Sequence, residues 1–160
     1  MEKFAVFRIS DEDFGVRIDK VVEILKSQKI YSLPDLPVFF SGVINIRGDV
    51  IPLLDLGRRF GIHSGSGKDR IMIVNCEGEK IGLLVDEIEE IVSLTTEDII
   101  APPSIFKGLK TEYLTGLGKN KDKIIILLNL DRILTSEEKI TLRKSAELIE
   151  ENNERTGKTA

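Results

Sequence analysis

The chain has 160 residues, 41% hydrophobic and 31% charged, the make-up of a soluble globular protein large enough to bury a core unaided. A net charge of −4 argues against a nucleic-acid footprint, and a single cysteine, Cys76, rules out an internal disulfide or a cysteine-rich metal site. No charged-then-apolar leader follows Met1, and the longest apolar run, Ile124–Leu128, is far too short to span a bilayer, so the expected location is the cytoplasm without direct membrane insertion.

In chain order, Phe4–Ile9 and Phe14–Ile18 read as strands joined by the acidic turn Ser10–Asp13. Asp19–Leu25 is ambiguous between an extension of the second strand and a helical turn. Leu33–Pro37 is a connector, because each proline restricts itself and the residue before it. Gly42–Gly61 is the centre of the pattern. Val43, Ile44 and Ile46 form a strand, Arg47–Val50 turns the chain, and Ile51, Leu53, Leu54 and Leu56 return it. That returning strand is apolar on both faces and requires cover on both. Pro52 has no N–H to give a ladder, which places it at an edge or beside a bulge. Asp55–Phe60 looks like one helical turn stopped by Gly61. His63–Gly67 is the best candidate boundary. Ile71–Cys76 and Ile81–Val85 form another hairpin, Ala101–Ser104 opens a second connector, and Lys123–Leu130 is the last long apolar strand.

The two halves match. Phe4–Leu25 lies on Ile71–Val92, and Val50–Phe60 lies on Ile124–Leu134, in the same order along the chain. Glu12, Gly15, Asp19, Glu23 and Ile24 then meet Glu79, Gly82, Asp86, Glu90 and Ile91. The expected fold is all-β, with two pseudo-equivalent lobes of about five short strands each near 1–62 and 68–134, and a possible strand crossing between them. Thr135–Glu138 has capping-box form and opens a C-terminal helix to about residue 153, packed through Ile140, Ala146 and Ile149.

No chemistry assembles from the residue types. His63 has no second histidine or nearby cysteine, and Cys76 ends an apolar strand with no identifiable base. Gly65–Asp69 lacks the spacing and following helix of a phosphate loop, and Gly116-Leu117-Gly118 fails as a dinucleotide fingerprint for want of a helix. The Arg47-Gly48-Asp49 triplet would signal adhesion only in a secreted chain. The acidic run Asp86–Glu90 reads as a solvated face before it reads as a cation site. On residues alone this is a two-lobed interaction protein without cofactor or metal. The rival is a small-ligand-binding or enzymatic double barrel using Asp86 and Glu90 near the lobe junction.

Five segments in order carry a specific resemblance: GVINIRG (42–48), VIPLLDL (50–56), IGLLVDEI (81–88), TEYLTGLG (111–118) and IIILLNLDRIL (124–134). From Phe4 to about Ala146 the chain resembles the CheW family of chemotaxis coupling proteins. The resemblance implies one CheW-like domain built from two SH3-like five-stranded β-barrels. It also implies a non-enzymatic adaptor, recruited to receptor arrays at the inner face of the membrane. There it would bridge the cytoplasmic tips of methyl-accepting chemotaxis receptors to the regulatory domain of the histidine kinase CheA. For residues, it implies receptor binding in an apolar groove at Val21, Ile24, Ile91 and Val92, with Glu23 and Arg47 at its polar edge. The kinase or ring interface is expected at Ile30, Ile105 and Phe106, the last two because they fall in the insertion that the first copy of the repeat lacks.

Overall fold

The computed structural model describes residues 1–62, 70–102, 113–135 and 137–143. It is mainly β. Strands β1 (Glu2–Ile9) and β2 (Glu12–Arg17) form a hairpin, and a 3-10 turn at Ile18–Lys20 leads into β3 (Val21–Lys26). The ambiguous stretch is thus a turn followed by a separate strand. Next come β4 (Phe40–Ile46), β5 (Asp49–Asp55) and the short helix α1 (Leu56–Phe60). Asp55 caps α1 by accepting the Arg58 N–H at 3.1 Å, and Gly61 closes it in the left-handed conformation, φ 69°. The second half supplies β6 (Arg70–Cys76), β7 (Glu79–Val85), β8 (Glu87–Leu94), β9 (Ile99–Ile100), β10 (Leu114–Asn120) and β11 (Lys123–Leu128).

Two sheets result, with strand orders β8-β1-β2-β11-β10-β9 and β3-β6-β7-β5-β4, agreeing with the expected pair of SH3-like subdomains. The sheets do not coincide with the sequence halves 1–62 and 68–134. Each half gives its first hairpin to the other: β1–β2 joins β8–β11, and β6–β7 joins β3–β5. Connection length explains the exchange. Only Asp86 separates β7 from β8, and a hairpin needs at least two turn residues, so β8 cannot fold back on β7 and enters the other sheet. The Ile18–Lys20 turn performs the same crossing between β2 and β3.

The repeat is reproduced in register. Leu53 lies beside Gly82 in a parallel pair, as Leu127 lies beside Gly15. The register shift between Phe40 and Gly42 recurs between Leu114 and Gly116, and the shift between Val21 and Glu23 faces β6 just as β8 faces the one between Val6 and Phe7. Where β9 flanks β10, the bridge Tyr31–Val43 flanks β4, with both N–H···O bonds at 2.8 Å. Those bonds use the Val43 polar groups on the side away from β5. Pro52, opposite Val43, therefore turns its nitrogen toward β7, where pairing begins only at Leu53, and it interrupts no ladder.

Strands apolar on both faces separate three cores. Ile44, Ile46, Ile51, Leu53, Ile71, Ile73 and Leu84 fill one barrel, and Phe4, Val6, Val92, Leu94, Ile125 and Leu127 fill the other. The alternate residues, among them Phe7, Phe14, Leu54, Met72, Val74, Leu83, Ile126 and Leu128, meet in a larger cluster between the sheets. Phe7, Phe14, Phe60 and Tyr113 follow one another through it with ring centroids 5.6–5.9 Å apart.

A helix over residues 137–143, α2, is capped reciprocally. The Glu138 N–H donates to Thr135 Oγ1 at 3.1 Å, and the Thr135 N–H to Glu138 Oε1 at 2.8 Å. Glu138 also receives Arg59 Nη1 at 2.9 Å, and the Arg59 guanidinium lies 4.9 Å from the Phe39 ring centre and 5.1 Å from that of Tyr113. The expected packing face of α2 needs correction. Ile140 is 52% exposed and the buried residue is Leu142, because the cap turns 138 and 142, one turn apart, toward the body. Ala146 and Ile149 lie outside the described residues.

Gly42 has φ 143°, and a Cβ there would stand 2.4 Å from the Tyr31 carbonyl oxygen. Gly78 has φ 86°, and a Cβ there would meet nothing within 4 Å, so a side chain would bring strain without a clash. Gly42→Ala is expected to cost on the order of 2 kcal/mol, lowering Tm by roughly 6 °C, and more than Gly78→Ala. Thermal melts of the two variants check this; equal losses would show that the Tyr31 contact is not limiting.

Candidate functional site

β3 and β8 are the outermost strands at corresponding ends of the two sheets, each paired on one side only. An edge strand exposes its outer polar groups and, where its side chains are aliphatic, an adhesive strip. Along β3, exposure alternates. Val22 and Ile24 point outward, whereas Val21, Glu23 and Leu25 are half-buried. On β8, Ile91 is 61% exposed and Ile24, its equivalent on β3, 47%.

Glu23 is tied to the β4–β5 turn. Arg47 Nη2 donates to Glu23 Oε2 at 2.7 Å and Nη1 to Oε1 at 3.2 Å, a two-pronged fork. The turn sets the base of that fork. Arg47 sits at φ 51° and Gly48 at φ 91°, and Asn45 Oδ1 accepts the Gly48 N–H at 3.0 Å. A left-handed arginine is unfavourable for an L side chain, so the rest of the hairpin holds it there. The hydrogen bond from Arg47, then its charge, keeps the Glu23 carboxyl below its ordinary range, and the same contact raises Arg47. With two of its five donors committed, Arg47 still presents the others to solvent from a fixed position.

The CheW-like domain family matches residues 3–138. The chain belongs to the CheW family. It is 33% identical over 139 residues to the chemotaxis protein CheW of Klebsiella aerogenes, spanning 86% of this chain and 84% of that protein. It is 29% identical over 152 residues to CheW of Treponema pallidum, spanning 91% and 88%. The crystal structure of the scaffolding protein TtCheW from Thermoanaerobacter tengcongensis is similar with a TM-score of 0.79 at 34% identity, over 86% of this chain and 94% of that one.

The residues singled out by the CheW resemblance fall in distinct settings. Glu23 and Arg47 are bonded to each other, and Ile24 and Ile91 are exposed on the two edges. Val21 packs partly against the central core. Val92 is only 7% exposed and belongs to the cluster of Phe4, Val6 and Leu94, because strand alternation that sends Ile91 out sends Val92 in. Val22 is the outward residue sequence reasoning missed. Ile30 is exposed beside the Tyr31–Val43 bridge, and Ile105, Phe106 and His63 lie outside the described residues.

The acidic run is less solvated than its composition suggests. Asp86 accepts the Ser10 N–H at 2.7 Å, while Arg8 reaches Glu89 at 2.6 Å, Glu87 at 4.0 Å and Asp13 at 3.7 Å. Burial, and then Asp13, raise the Glu89 carboxyl. Asp86 is thus engaged by the Ser10 backbone, and Glu90 is exposed. Among the described residues no three His, Cys, Asp or Glu are placed to hold a metal ion, and no described helix is long and apolar enough to cross a membrane.

Cys76 is buried and donates its S–H to the Leu130 carbonyl at 2.7 Å. Burial pushes the thiol from 9.0 up to about 11. The folded chain thus holds this proton more tightly than the unfolded chain, a stabilisation complete below pH 9 and lost as pH rises through about 11. Native protein is expected to resist thiol reagents at pH 8 and to react on unfolding in guanidinium. Between pH 9 and 11 its denaturation midpoint should fall more steeply than that of Cys76→Ala. Rapid labelling of the native thiol would contradict the burial.

Proposed function

We propose that this CheW family member is a non-enzymatic adaptor that couples the cytoplasmic tips of chemoreceptors to the histidine kinase CheA and helps build their arrays, working in the cytoplasm at the membrane face. The observation that carries the reading is the strip of Val22 and Ile24 on the open edge β3, beside the Arg47–Glu23 fork, in a chain of CheW-like sequence. A receptor tip is a helical hairpin whose backbone groups are satisfied within its helices, so it does not add a strand to the edge. Side chains have to recognise it. The aliphatic strip supplies apolar contact, and the fork sets register by offering guanidinium donors to a carboxylate or carbonyl on the helix.

Glu23 orients Arg47 for that contact, so both belong to one recognition unit. Arg47→Ala and Glu23→Ala are each expected to weaken binding of a receptor-tip hairpin by roughly tenfold to a hundredfold. CheA regulatory-domain binding and Tm should be unchanged. Calorimetric titration of both partners, with melts alongside, tests this, and unchanged receptor affinity would sink it.

The kinase or ring surface is assigned to Ile30, together with Ile105 and Phe106. Ile30 is 40% exposed beside the Tyr31–Val43 bridge, outside the three buried clusters. Ile30→Asp is expected to abolish CheA binding and leave Tm nearly unaltered. A large drop in Tm would instead make Ile30 a structural residue.

A further inference from the structure

A half-hidden cluster of charge lies where β8 departs from regular pairing. Glu90 pairs with Val6 and Ile88 with Phe7, which leaves Glu89 as the extra residue of a bulge. Its side chain is 13% exposed and meets the β1–β2 hairpin. Arg8 Nη2 reaches Glu89 Oε1 at 2.6 Å, and Arg8 Nε stands 3.7 Å from Oδ1 of Asp13, whose side chain is 12% exposed. The Glu89 and Asp13 carboxyls lie within hydrogen-bond reach of each other. As carboxylates both are acceptors, and Asp13 Oδ1 and Glu89 Oε2 are buried with no donor. One proton between them would satisfy both.

The local charges point the same way. Two largely buried carboxylates share one guanidinium. The remaining neighbours do not restore the balance: Glu87 lies 4.0 Å from Arg8 and is 63% exposed, Asp86 accepts the Ser10 N–H, and Lys123 of β11 acts on Glu89 only through its charge. β8 is an edge, so no further strand brings a cation to its outer side. A buried carboxylate in excess over its cations is stabilised by keeping a proton. Burial, and then Asp13, accordingly raise Glu89, with Arg8 and Lys123 opposing them in part. The first half of the repeat lacks this cluster. Val22 is the bulge residue of β3, and Asn75 and Lys80 stand where Arg8 and Asp13 do.

We propose that Glu89, Asp13 and Arg8 form a proton-sensitive latch on the β8 edge. With Glu89 protonated, its O–H donates to Asp13, Arg8 holds the pair, and the bulge stays closed on β1. The proton exchanges with solvent. With Glu89 ionised, two buried carboxylates compete for one arginine, and β8, paired on one side only, opens locally more often. The folded chain thus binds this proton more tightly than the unfolded chain. That stabilisation is complete below the ordinary carboxylate range and is lost as pH rises through the raised Glu89 value. One margin of the fold then firms in acid, while the β3 margin does not share the response.

The test compares the full chain with Glu89→Gln and Asp13→Asn between about pH 4 and pH 8. Glutamine keeps a donor for Asp13 and cannot ionise. Hydrogen exchange of the β8 amides, expressed as protection over the unfolded chain, reads local opening, and thermal melts read the whole. Protection of β8 is expected to fall several-fold more with rising pH in the wild type than in Glu89→Gln. At pH 8 Glu89→Gln should melt a few degrees higher than the wild type, with the difference vanishing at pH 4. Asp13→Asn, which removes the neighbouring charge, should flatten the same dependence, and it decides the matter if Glu89→Gln does not fold. Amides of β3 should respond alike in all three proteins. The latch is overturned if the variants track the wild type across the range, or if they lose the same stability at every pH.

Discussion

Double burial of the exchanged hairpins holds the molecule together. In β1, Phe4 and Val6 enter one barrel while Ala5, Phe7 and Ile9 enter the core between the sheets; in β6, Ile71 and Ile73 do the first and Met72, Val74 and Cys76 the second. Each of the larger aliphatic and aromatic side chains among them contributes about 1.5–3 kcal/mol by leaving water, and each hairpin joins two cores at once. Neither sheet can be packed independently of the other. The surface ion pairs are small beside this. The Arg59 contact with Glu138, Phe39 and Tyr113 is a local clasp that seats α2 on a body already formed.

A fold that consumes both faces of its central strands leaves recognition to its margins. β3 and β8 have one free edge each, and both hold apolar side chains that the cores do not absorb. Long, flat, apolar edges invite aggregation, and these edges are broken by register shifts and interspersed with Glu23, Lys26, Glu87 and Glu90. The same charges that discourage strand addition suit side-chain recognition of a helix. At β3 the neighbouring β4–β5 turn adds to the margin, because left-handed Arg47 reaches Glu23 from it.

Much of this was open to inference from the residues. Periodicity located β1, β2, β4–β7 and β11 but not β3, β8, β9 or β10, while Gly61 marked the end of α1 and Thr135 with Glu138 the reciprocal cap, since each of these signals is local. The hairpin exchange was harder to read. β1 and β6 are equally apolar and interchangeable within the repeat, so burial alone assigns neither to a sheet; the informative cue was the single residue between β7 and β8. At the site, the apolar set on β3 and β8 could be named but not sorted by face. Val21, Val22, Ile24 and Leu25 are aliphatic on both sides of a register shift, and only the observed pairing separates outward Val22 and Ile24 from their half-buried neighbours. The Arg47–Glu23 bond joins residues 24 positions apart and follows from β3 and the β4–β5 turn meeting in one subdomain.

The exchange also sets an order of events on the ribosome. β1 pairs with β8, and β2 with β11, so the first hairpin finds both neighbours only after residues beyond 120 have been made. Until then a strand built for two dry faces is exposed on both, and such long-range pairings are slow to close. Two nascent chains on one message could trade these hairpins, since each is already shaped to complete a sheet it does not belong to by sequence.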